Sequence, residues 1–355
     1  MGQSKITFID EVEIKDKRVL LRVDFNVSLT NDLLSISDDA RIKQSLPTIN
    51  YLLENGNKII LVSHLGRPEK RDPKYSLEIV SDHLQSLLPN LKIVLVENFE
   101  NLPAQHPNEI LFLENIRFYP DEKKNDREFA KKLASIADIY VNDAFGVSHR
   151  HDASVVGVPE FIPSYGGLLM KKELAMISKM TDDPGRPLVA IIGGTKVETK
   201  FKFIEKLKTL ADIILIGSGM MNHIKPDEKI ILPLDVITDK GVIKKISELE
   251  DDDRARDIGP ETEAKFGSII NKAQTIIWNG PVGNVENEAY RRGTEFIYYS
   301  ITQNKNAQSL VGGGDTIAAI SKEEYLDKIT HLSTGGGAML EYIEKGTLPG
   351  IEALK

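Results

Sequence analysis

Charged and polar side chains follow the short apolar runs in the first half of the chain. The residues concerned are Asp24, Asn26, Arg41, His64, Arg67, Arg117, His149 and Arg150. Arginine carries a planar fork that binds phosphate or carboxylate through two parallel hydrogen bonds. A lone arginine is usually a solvated surface charge, and His64 by itself fits a buried core histidine. Four arginines and two histidines in these positions together predict a site for an anion.

Glycines take the same positions in the second half. They occur in Gly193–Gly194, Gly217–Gly219, Asn279–Gly280, Gly312–Asp315 and Gly335–Gly337. Glycine lets the backbone approach a phosphate closely, and a helix N-terminus offers free N–H groups to it. Such turns are also common without ligands in parallel α/β folds, and neither the Walker A pattern nor G-x-G-x-x-G occurs. Nucleotide binding here would therefore use several separate glycine turns.

Two lysines and one carboxylate accompany these glycines. Lys196 and Lys200 lie at i and i+4 in GGTKVETK, so a helix that starts there would turn both towards one ligand. Asp315 follows three glycines, where it would hold Mg²⁺ on phosphates or, alternatively, cap a helix. The sequence has no G-x-S-x-G elbow and no HExxH-type metal cluster. This set indicates positioning and charge neutralisation, which phosphoryl transfer requires.

Alternating strands and helices must position these residues. The apolar runs are Val19–Phe25, Lys58–His64, Lys92–Val96, Ile110–Glu114, Ile139–Asp143, Leu188–Ile192, Ile213–Ile216, Ile230–Val236, Thr275–Trp278 and Ser309–Val311, with His331–Ser333 as a candidate for a last short strand. Helical spacing separates many of them, as in Glu128–Ala137, Lys200–Leu210 and Glu288–Ile301. Continuous apolar strands alternating with helices predict an α/β fold with buried parallel sheets. Ligands of such sheets bind beyond the carboxyl ends of the strands.

Each half holds a full set of strands, which predicts two doubly wound parallel-sheet domains joined by a connecting helix and hinge. The domains are expected at 1–165 and 188–340, with 166–187 between them. Turn residues, including Gly166–Gly167 and Asp182–Pro187, bracket the helical segment Leu168–Met180. The alternative is that this segment is one more surface helix.

The composition limits the partners and the location. Of 355 residues, 41% are hydrophobic and 28% charged, and the net charge is −8. Nucleic acid and anionic membranes attract basic surfaces, so neither is an expected partner. No uncharged apolar stretch approaches the ~18 residues of a membrane span, and the N-terminus lacks a secretory signal. Without cysteine there is no disulfide or thiolate site, and a cytoplasmic protein is expected.

Eight motifs follow one another along the chain. They are KRVLLRVDFNVSL (17–29), SHLGRP (63–68), LENIRF (113–118), NDAFGVSHR (142–150), IGGTKVETK (192–200), WNGPVGNVE (278–286), GGGDT (312–316) and HLSTGGGAMLE (331–341). In this order they resemble the phosphoglycerate kinase family, and the resemblance runs from near the N-terminus to Leu348–Leu354. It implies reversible transfer of a phosphoryl group between ATP and the carboxylate of 3-phosphoglycerate, by a cytoplasmic enzyme expected to be monomeric.

The resemblance also implies a role for each site residue. In the first domain, 3-phosphoglycerate would bind Asp24, Phe25, Asn26, Arg41, His64, Leu65, Gly66, Arg67, Arg117 and Arg150. In the second, ATP or ADP with Mg²⁺ would bind Gly193, Gly194, Lys200, Gly217, Asn279, Pro281, Glu286, Gly313, Gly314, Asp315 and Thr316, with Asp315 on the metal. The catalytic set would be Arg41, Lys196, Gly335, Gly336 and Gly337. Residues from about 341 to 355 would return to the first domain, and the connector would bend to bring the two substrates in line.

The chain departs from the family pattern mainly between residues 220 and 260. There the strand ILPLD (231–235) follows Gly219–Met220 after few residues, and the segment that leads to DIGP (257–260) is also short. These segments would supply apolar walls around adenine, so base preference is open. Two rival functions follow: a binding or regulatory protein with weak nucleotide affinity, and a kinase for another small phosphorylated acid.

Overall fold

A computed structural model describes residues 5–30, 35–195, 200–319 and 323–355. Its strands are β1 (Arg18–Arg22), β2 (Ser28–Leu29), β3 (Ile36–Asp38), β4 (Lys58–Val62), β5 (Lys92–Val96), β6 (Glu109–Leu113), β7 (Ile139–Asn142), β8 (Ser164–Gly166), β9 (Leu188–Ile192), β10 (Ile213–Ile216), β11 (Ile230–Ile231), β12 (Asp235–Thr238), β13 (Ile243–Lys245), β14 (Ala255–Ile258), β15 (Thr275–Asn279), β16 (Gln308–Gly312) and β17 (His331–Ser333). Its helices are α1 (Ala40–Glu54), α2 (Glu78–Leu87), α3 (Pro120–Lys123), α4 (Arg127–Ala134), α5 (Leu168–Thr181), α6 (Phe201–Leu210), α7 (Pro260–Ile270), α8 (Arg292–Gln303), α9 (Gly314–Ala318), α10 (Glu323–Leu326), α11 (Gly336–Lys345) and α12 (Pro349–Glu352).

Two six-stranded sheets dominate the structure and confirm the predicted α/β class. The first has the order β5-β6-β4-β1-β7-β8 and the second the order β11-β10-β9-β15-β16-β17. Every pair within them is parallel. Their central strands are buried along almost their whole length, as Leu188–Ile192 shows. Burial on both faces explains why these strands appear in the sequence as continuous apolar runs.

The chain divides into two compact units. The first extends to Leu174 and also takes in Thr347–Lys355, and the second runs from Ala175 to Gly346. The division falls inside α5, the helix predicted at Leu168–Met180. At the other end, α11 stops at Gly346, whose φ of +77° suits a residue without Cβ. Beyond it, Gly350 donates from its amide to the Ser148 carbonyl at 2.8 Å, within the first unit.

One predicted strand is wrong. The run Ile230–Val236 does not form a single strand: β11 ends at Ile231 in the second parallel sheet, and β12 begins at Asp235 in a separate antiparallel sheet with β13 and β14. Pro233 lies between them and has no N–H for a strand ladder, which explains the break.

Other boundaries differ by less. β1 ends at Arg22 rather than Phe25, and α8 begins at Arg292 after a short turn at Glu288–Tyr290. The edge strand β8 is not among the predicted strands, and its last residue, Gly166, is one of the turn residues expected before the helix. Among the described residues, no helix has both the length and the apolar character needed to span a membrane.

A buried carboxylate starts α5. Asp143 follows β7 and is fully buried, and its Oδ1 accepts hydrogen bonds from the amides of Leu169 (2.9 Å) and Met170 (3.2 Å). Gly167 leaves the room for this contact, since a Cβ there would overlap the carboxylate. Burial raises the pKa of the Asp143 carboxyl to about 7, against the Thr48 hydroxyl and the two backbone amides, which lower it.

We therefore predict that Asp143 makes the stability of the protein pH-dependent. The pKa of Asp143 is higher in the folded protein than in the unfolded chain, so protonation of this carboxyl stabilises the folded state. The stabilisation is present below about pH 4 and is lost as the pH rises from about 4 to about 7. In Asp143→Asn the free energy of unfolding should fall less steeply with pH than in the wild type over this range. The difference between the two slopes should be at most about 1.4 kcal/mol per pH unit. Urea unfolding at several pH values measures the slope. The control is Asp82→Asn, which removes one negative charge at an exposed carboxyl of α2. Equal slopes in the wild type and Asp143→Asn would contradict the prediction.

Candidate active-site residues

The predicted anion-binding residues of the first unit lie at the carboxyl edge of its sheet. Asp24 and Asn26 follow β1, His64 and Arg67 follow β4, Arg117 follows β6, and Arg150 follows β7. Arg41 joins them from the first turn of α1. Strands β6, β4, β1 and β7 are consecutive neighbours in the sheet, which is why these distant segments meet. With the exception of Arg41, these residues therefore lie in the segments that follow the strands.

Hydrogen bonds hold this edge in shape. Arg41 Nη1 donates to the Asn26 carbonyl at 2.6 Å and lies 3.4 Å from Asp24 Oδ2. The Asn26 side-chain oxygen accepts from the Gly66 amide at 2.7 Å, and the Gly66 carbonyl accepts from Arg117 Nη1 at 2.8 Å. Gly66 has φ of +62° and packs against Tyr75. The loops after β1, β4 and β6 are thus bonded to one another.

The predicted residues differ in what they offer a ligand. Phe25 is fully buried and donates from its amide to Ser63 Oγ, and the buried Leu65 accepts at its carbonyl from Asn115, so both shape the loops. Arg67 is exposed. The Nε atoms of Arg117 and Arg150 are buried donors with no acceptor among the described residues. Burial, and then the charge of Arg150, lowers the pKa of Arg117. Oxygen atoms of an anion would satisfy such donors.

Arg22 belongs to this cluster and was not predicted. It is the last residue of β1, it is completely buried, and its Nη2 lies 3.3 Å from His64 Nδ1. Burial, and next the charge of Arg22, lowers the pKa of His64 well below its usual range, so the ring is neutral at pH 7. The sequence carried a signal, since Arg22 interrupts the apolar run VLLRVDF. A charged residue inside a buried strand needs partners, and its presence marks a polar site.

The predicted glycines of the second unit form one cradle at the carboxyl edge of its sheet. A Cβ on Gly193 would overlap the Pro281 carbonyl, one on Gly217 would lie 2.8 Å from Val282 Cα, and one on Gly336 would lie 2.6 Å from Gly313 Cα. Gly194 donates to the Pro281 carbonyl at 2.8 Å. The turns after β9, β10, β15, β16 and β17 therefore touch through backbone atoms, which only glycine permits.

Side chains join these turns together. Asn279 Nδ2 donates to the Gly312 carbonyl at 2.9 Å, and Thr316 Oγ1 accepts from the Gly280 amide at 2.8 Å. Gly313, with φ of +106°, precedes α9, so Asp315 is not the N-cap but an exposed residue of the first turn, next to the exposed Gly314. Glu286 is also exposed. The alternative of Asp315 as a helix cap is therefore wrong.

Lys200 lies inside the cradle, while Lys196 lies outside the described residues. Lys200 Nζ donates to the carbonyls of Gly193 (2.6 Å) and Asn279 (3.2 Å). Burial lowers the pKa of this amine to about 8, and the carboxylate of Asp315 opposes the shift. An ammonium held by carbonyl groups alone is suited to gain a phosphate partner.

The third predicted group, Gly335–Gly337, forms the start of α11. The Gly335 amide donates to Ser333 Oγ at 3.3 Å. Gly336 and Gly337 are the first residues of the helix, so their amides have no acceptor within it. The helix start can therefore donate to an anion from these two amides.

Comparisons with known proteins identify what this chain resembles. A family model described as "Phosphoglycerate kinase" matches residues 9–226 and 222–346. The phosphoglycerate kinase of Dictyoglomus turgidum is 43% identical over 396 aligned positions that cover both chains completely. The cytosolic phosphoglycerate kinase of Triticum aestivum is 40% identical over 98% of this chain and 97% of its own length. The structure of phosphoglycerate kinase from Coxiella burnetii matches with a TM-score of 0.83 and 32% identity over 98% of each chain. The 396 aligned positions exceed the 355 residues of this chain, so the Dictyoglomus protein has residues that this chain lacks.

The glycine cradle leads to a prediction about Gly280. Its φ is +92°, and a Cβ there would overlap the Gly193 carbonyl oxygen and lie 2.5 Å from Lys200 Nζ. Gly280→Ala should therefore lower the free energy of unfolding by more than the ~1–2 kcal/mol that a left-handed alanine costs by itself. The matched control is Gly241→Ala, because Gly241 has φ of +71° but no atom within 4 Å of the added Cβ. Equal losses of stability in urea unfolding would show that the close approach is not required.

Proposed function

Because this chain belongs to the phosphoglycerate kinase family, we propose that its first unit binds 3-phosphoglycerate and its second unit binds ATP or ADP. The observation that carries the assignment is the division of residue types between the two sheet edges. Guanidinium groups collect at the first and closely packed glycine backbone at the second. Arginine suits a small carboxylate and phosphate ester, and a glycine cradle suits a polyphosphate.

In the first unit, the residues proposed to bind the substrate are the arginines and the neutral histidine. They are Arg41, Arg67, Arg117, Arg150 and His64, with Asp24, Phe25, Asn26, Leu65 and Gly66 forming the loops around the substrate. The buried Nε donors of Arg117 and Arg150 support this assignment, because they lack acceptors among the described residues. Asp24 would hold Arg41 in position, at 3.4 Å, rather than bind the anion itself.

In the second unit, backbone amides and one lysine would bind the nucleotide. The proposed residues are Gly193, Gly194, Lys200, Gly217, Asn279, Pro281, Glu286, Gly313, Gly314, Asp315 and Thr316. Lys200 would bind a phosphate in place of part of its present carbonyl contacts. The exposed Asp315 fits a magnesium ligand, since its carboxylate accepts no hydrogen bond from the described residues and Mg²⁺ prefers carboxylate oxygen. Bound Mg²⁺ would neutralise charge on the nucleotide phosphates.

The reaction needs charge neutralisation rather than a base. The carboxylate of 3-phosphoglycerate is already ionised at pH 7, so one of its oxygens can attack the terminal phosphorus of ATP while the bond from that phosphorus to ADP breaks. Arg41 would neutralise charge on the acceptor, and Lys196 charge on the donor. The amides at the start of α11, among Gly335–Gly337, would donate to the oxygens of the transferred group.

We also propose that the apolar part of the nucleotide site, which would surround the adenine base, is small. The segment between Gly219 and Gly259 contains the small antiparallel sheet, which leaves Leu234, Val242 and Ile243 exposed at 41%, 48% and 54%. A smaller apolar surface around the adenine base predicts a lower affinity for the nucleotide. For the whole protein we propose a cytoplasmic monomer that does not bind nucleic acid, in keeping with its net charge of −8.

A coupled assay of ATP-dependent phosphorylation of 3-phosphoglycerate tests the proposed function. Turnover that saturates in both substrates is expected, with a high KM for the nucleotide. Binding of 3-phosphoglycerate without turnover would instead favour a binding protein, and turnover with a different phosphorylated acid would favour another kinase.

The assignment of Arg41 predicts a specific loss. Arg41→Ala should lower turnover by roughly 10²-fold or more, as expected when one donor to reacting charge is removed, while ATP binding is retained. The control is Arg18→Ala, because Arg18 is an exposed arginine at the start of β1, at the edge of the sheet opposite to the proposed site. Steady-state kinetics together with calorimetric titration of ATP measure both effects. Wild-type turnover in Arg41→Ala would refute the role.

A further inference from the structure

The buried guanidinium group of Arg22 makes polar contacts with three acceptors of the first unit. Its exposed fraction is 0%. Nε donates to Ser154 Oγ at 2.8 Å, Nη1 donates to the carbonyl of Val23, and Nη2 lies 3.3 Å from His64 Nδ1. A guanidinium group removed from water needs such acceptors. Here one of them is a ring nitrogen of His64, which is proposed to bind the substrate.

A buried carboxylate supports the arginine through one hydroxyl group. Ser154 donates from its Oγ to Glu122 Oε1 at 2.5 Å and from its amide to Glu122 Oε2 at 2.8 Å. Glu122 lies in α3 and is 0% exposed. The Tyr140 hydroxyl donates to the Ser154 carbonyl at 2.7 Å, which fixes the segment that carries the serine. Glu122, Ser154, Arg22 and His64 thus form one continuous chain of polar contacts.

This chain determines which ring nitrogen of His64 carries the proton. A guanidinium group has only donors, so Nδ1 must present its lone pair to Arg22. Asp24 Oδ1 would favour the opposite tautomer, but it lies 3.8 Å from Nδ1, beyond hydrogen-bond distance. The neutral ring, surrounded by arginines, therefore carries its hydrogen on Nε2. Nε2 has no hydrogen-bond partner among the described residues.

We propose that Arg22 is a positioning residue that fixes His64 as the neutral tautomer with its proton on Nε2, ready to donate a hydrogen bond to an oxygen of 3-phosphoglycerate. The inference rests on the proposed function for the identity of the acceptor, but the tautomer itself does not. Arg22 does not bind the substrate directly, because it is fully buried and its guanidinium already donates to three protein acceptors.

The wild-type protein can be tested without any substitution. Long-range ¹H–¹⁵N spectra of histidine-labelled protein at pH 7 distinguish a protonated ring nitrogen from one with a free lone pair, and the His64 signals are those absent from His64→Gln. We expect Nδ1 without a proton and Nε2 with one. A proton on Nδ1, or on both nitrogens, would overturn the proposal even if the enzyme is fully active.

A matched pair of substitutions reports on the direction of the hydrogen bond. The amide N–H of glutamine can take the place of Nε2–H, whereas that of asparagine takes the place of Nδ1–H. His64→Gln should keep a KM for 3-phosphoglycerate about tenfold lower than that of His64→Asn, which is the value of one hydrogen bond to a charged group. The nucleotide KM should be the same in both, and the reverse order of 3-phosphoglycerate KM values would contradict the proposal.

Arg22→Lys tests the positioning role itself, since it keeps the charge but loses the planar set of donors. We expect a fraction of His64 to acquire a proton on Nδ1 and the KM for 3-phosphoglycerate to rise about tenfold, with the nucleotide KM unchanged. An unchanged tautomer in a folded Arg22→Lys would overturn the role of Arg22. Should the wild-type enzyme not act on 3-phosphoglycerate, the proposed function fails, while the spectra still decide the tautomer.

Discussion

The first unit holds two guanidinium groups almost entirely out of water, those of Arg22 and Arg117, which are 0% and 4% exposed. Removing an ion of this size from water costs several kcal/mol unless acceptors surround it. The fold supplies them from segments far apart in sequence, including the Gly66 carbonyl, Ser154 Oγ and Asp152 Oδ2. The loops at this edge therefore have little freedom to rearrange, because each carries an acceptor that a buried cation needs. An anionic substrate would meet donors that are already in place, with a small cost of reorganisation.

The second unit solves a related problem with backbone in place of charge. A polyphosphate needs many donors within a small volume, and side chains would fill the space that the phosphates require. At this edge the turns approach so closely that a Cβ on Gly193, Gly280 or Gly336 would overlap neighbouring backbone. Lys200 is the buried cation of this cradle, and it bonds to carbonyl groups alone. The two sheets thus share an architecture but present different chemistry at the same end of their strands.

The sequence predicted the features that depend on local pattern. Continuous apolar runs gave most strands of both sheets, and the residue types just after them gave the arginine edge and the glycine cradle. Pro233 falls inside a predicted strand because the residues on either side of it are apolar, and that pattern does not show that its N–H is missing. Local pattern does not mark Arg22 as a site residue, because it lies within such a run. Its hydrogen-bond partner Ser154 is more than a hundred residues away, and Glu122, which accepts from Ser154, is about a hundred residues away. Contacts of that range depend on the order of strands in the sheet, which no local pattern contains.

A crystal structure of the protein with bound 3-phosphoglycerate tests this account most directly. The account predicts that ligand oxygens lie within hydrogen-bond distance of the guanidinium groups of Arg41, Arg117 and Arg150 and of His64 Nε2, while Arg22 keeps its contacts with Ser154 and His64. A ligand bound away from these arginines, or an Arg22 side chain that turns to bind the ligand, would contradict it.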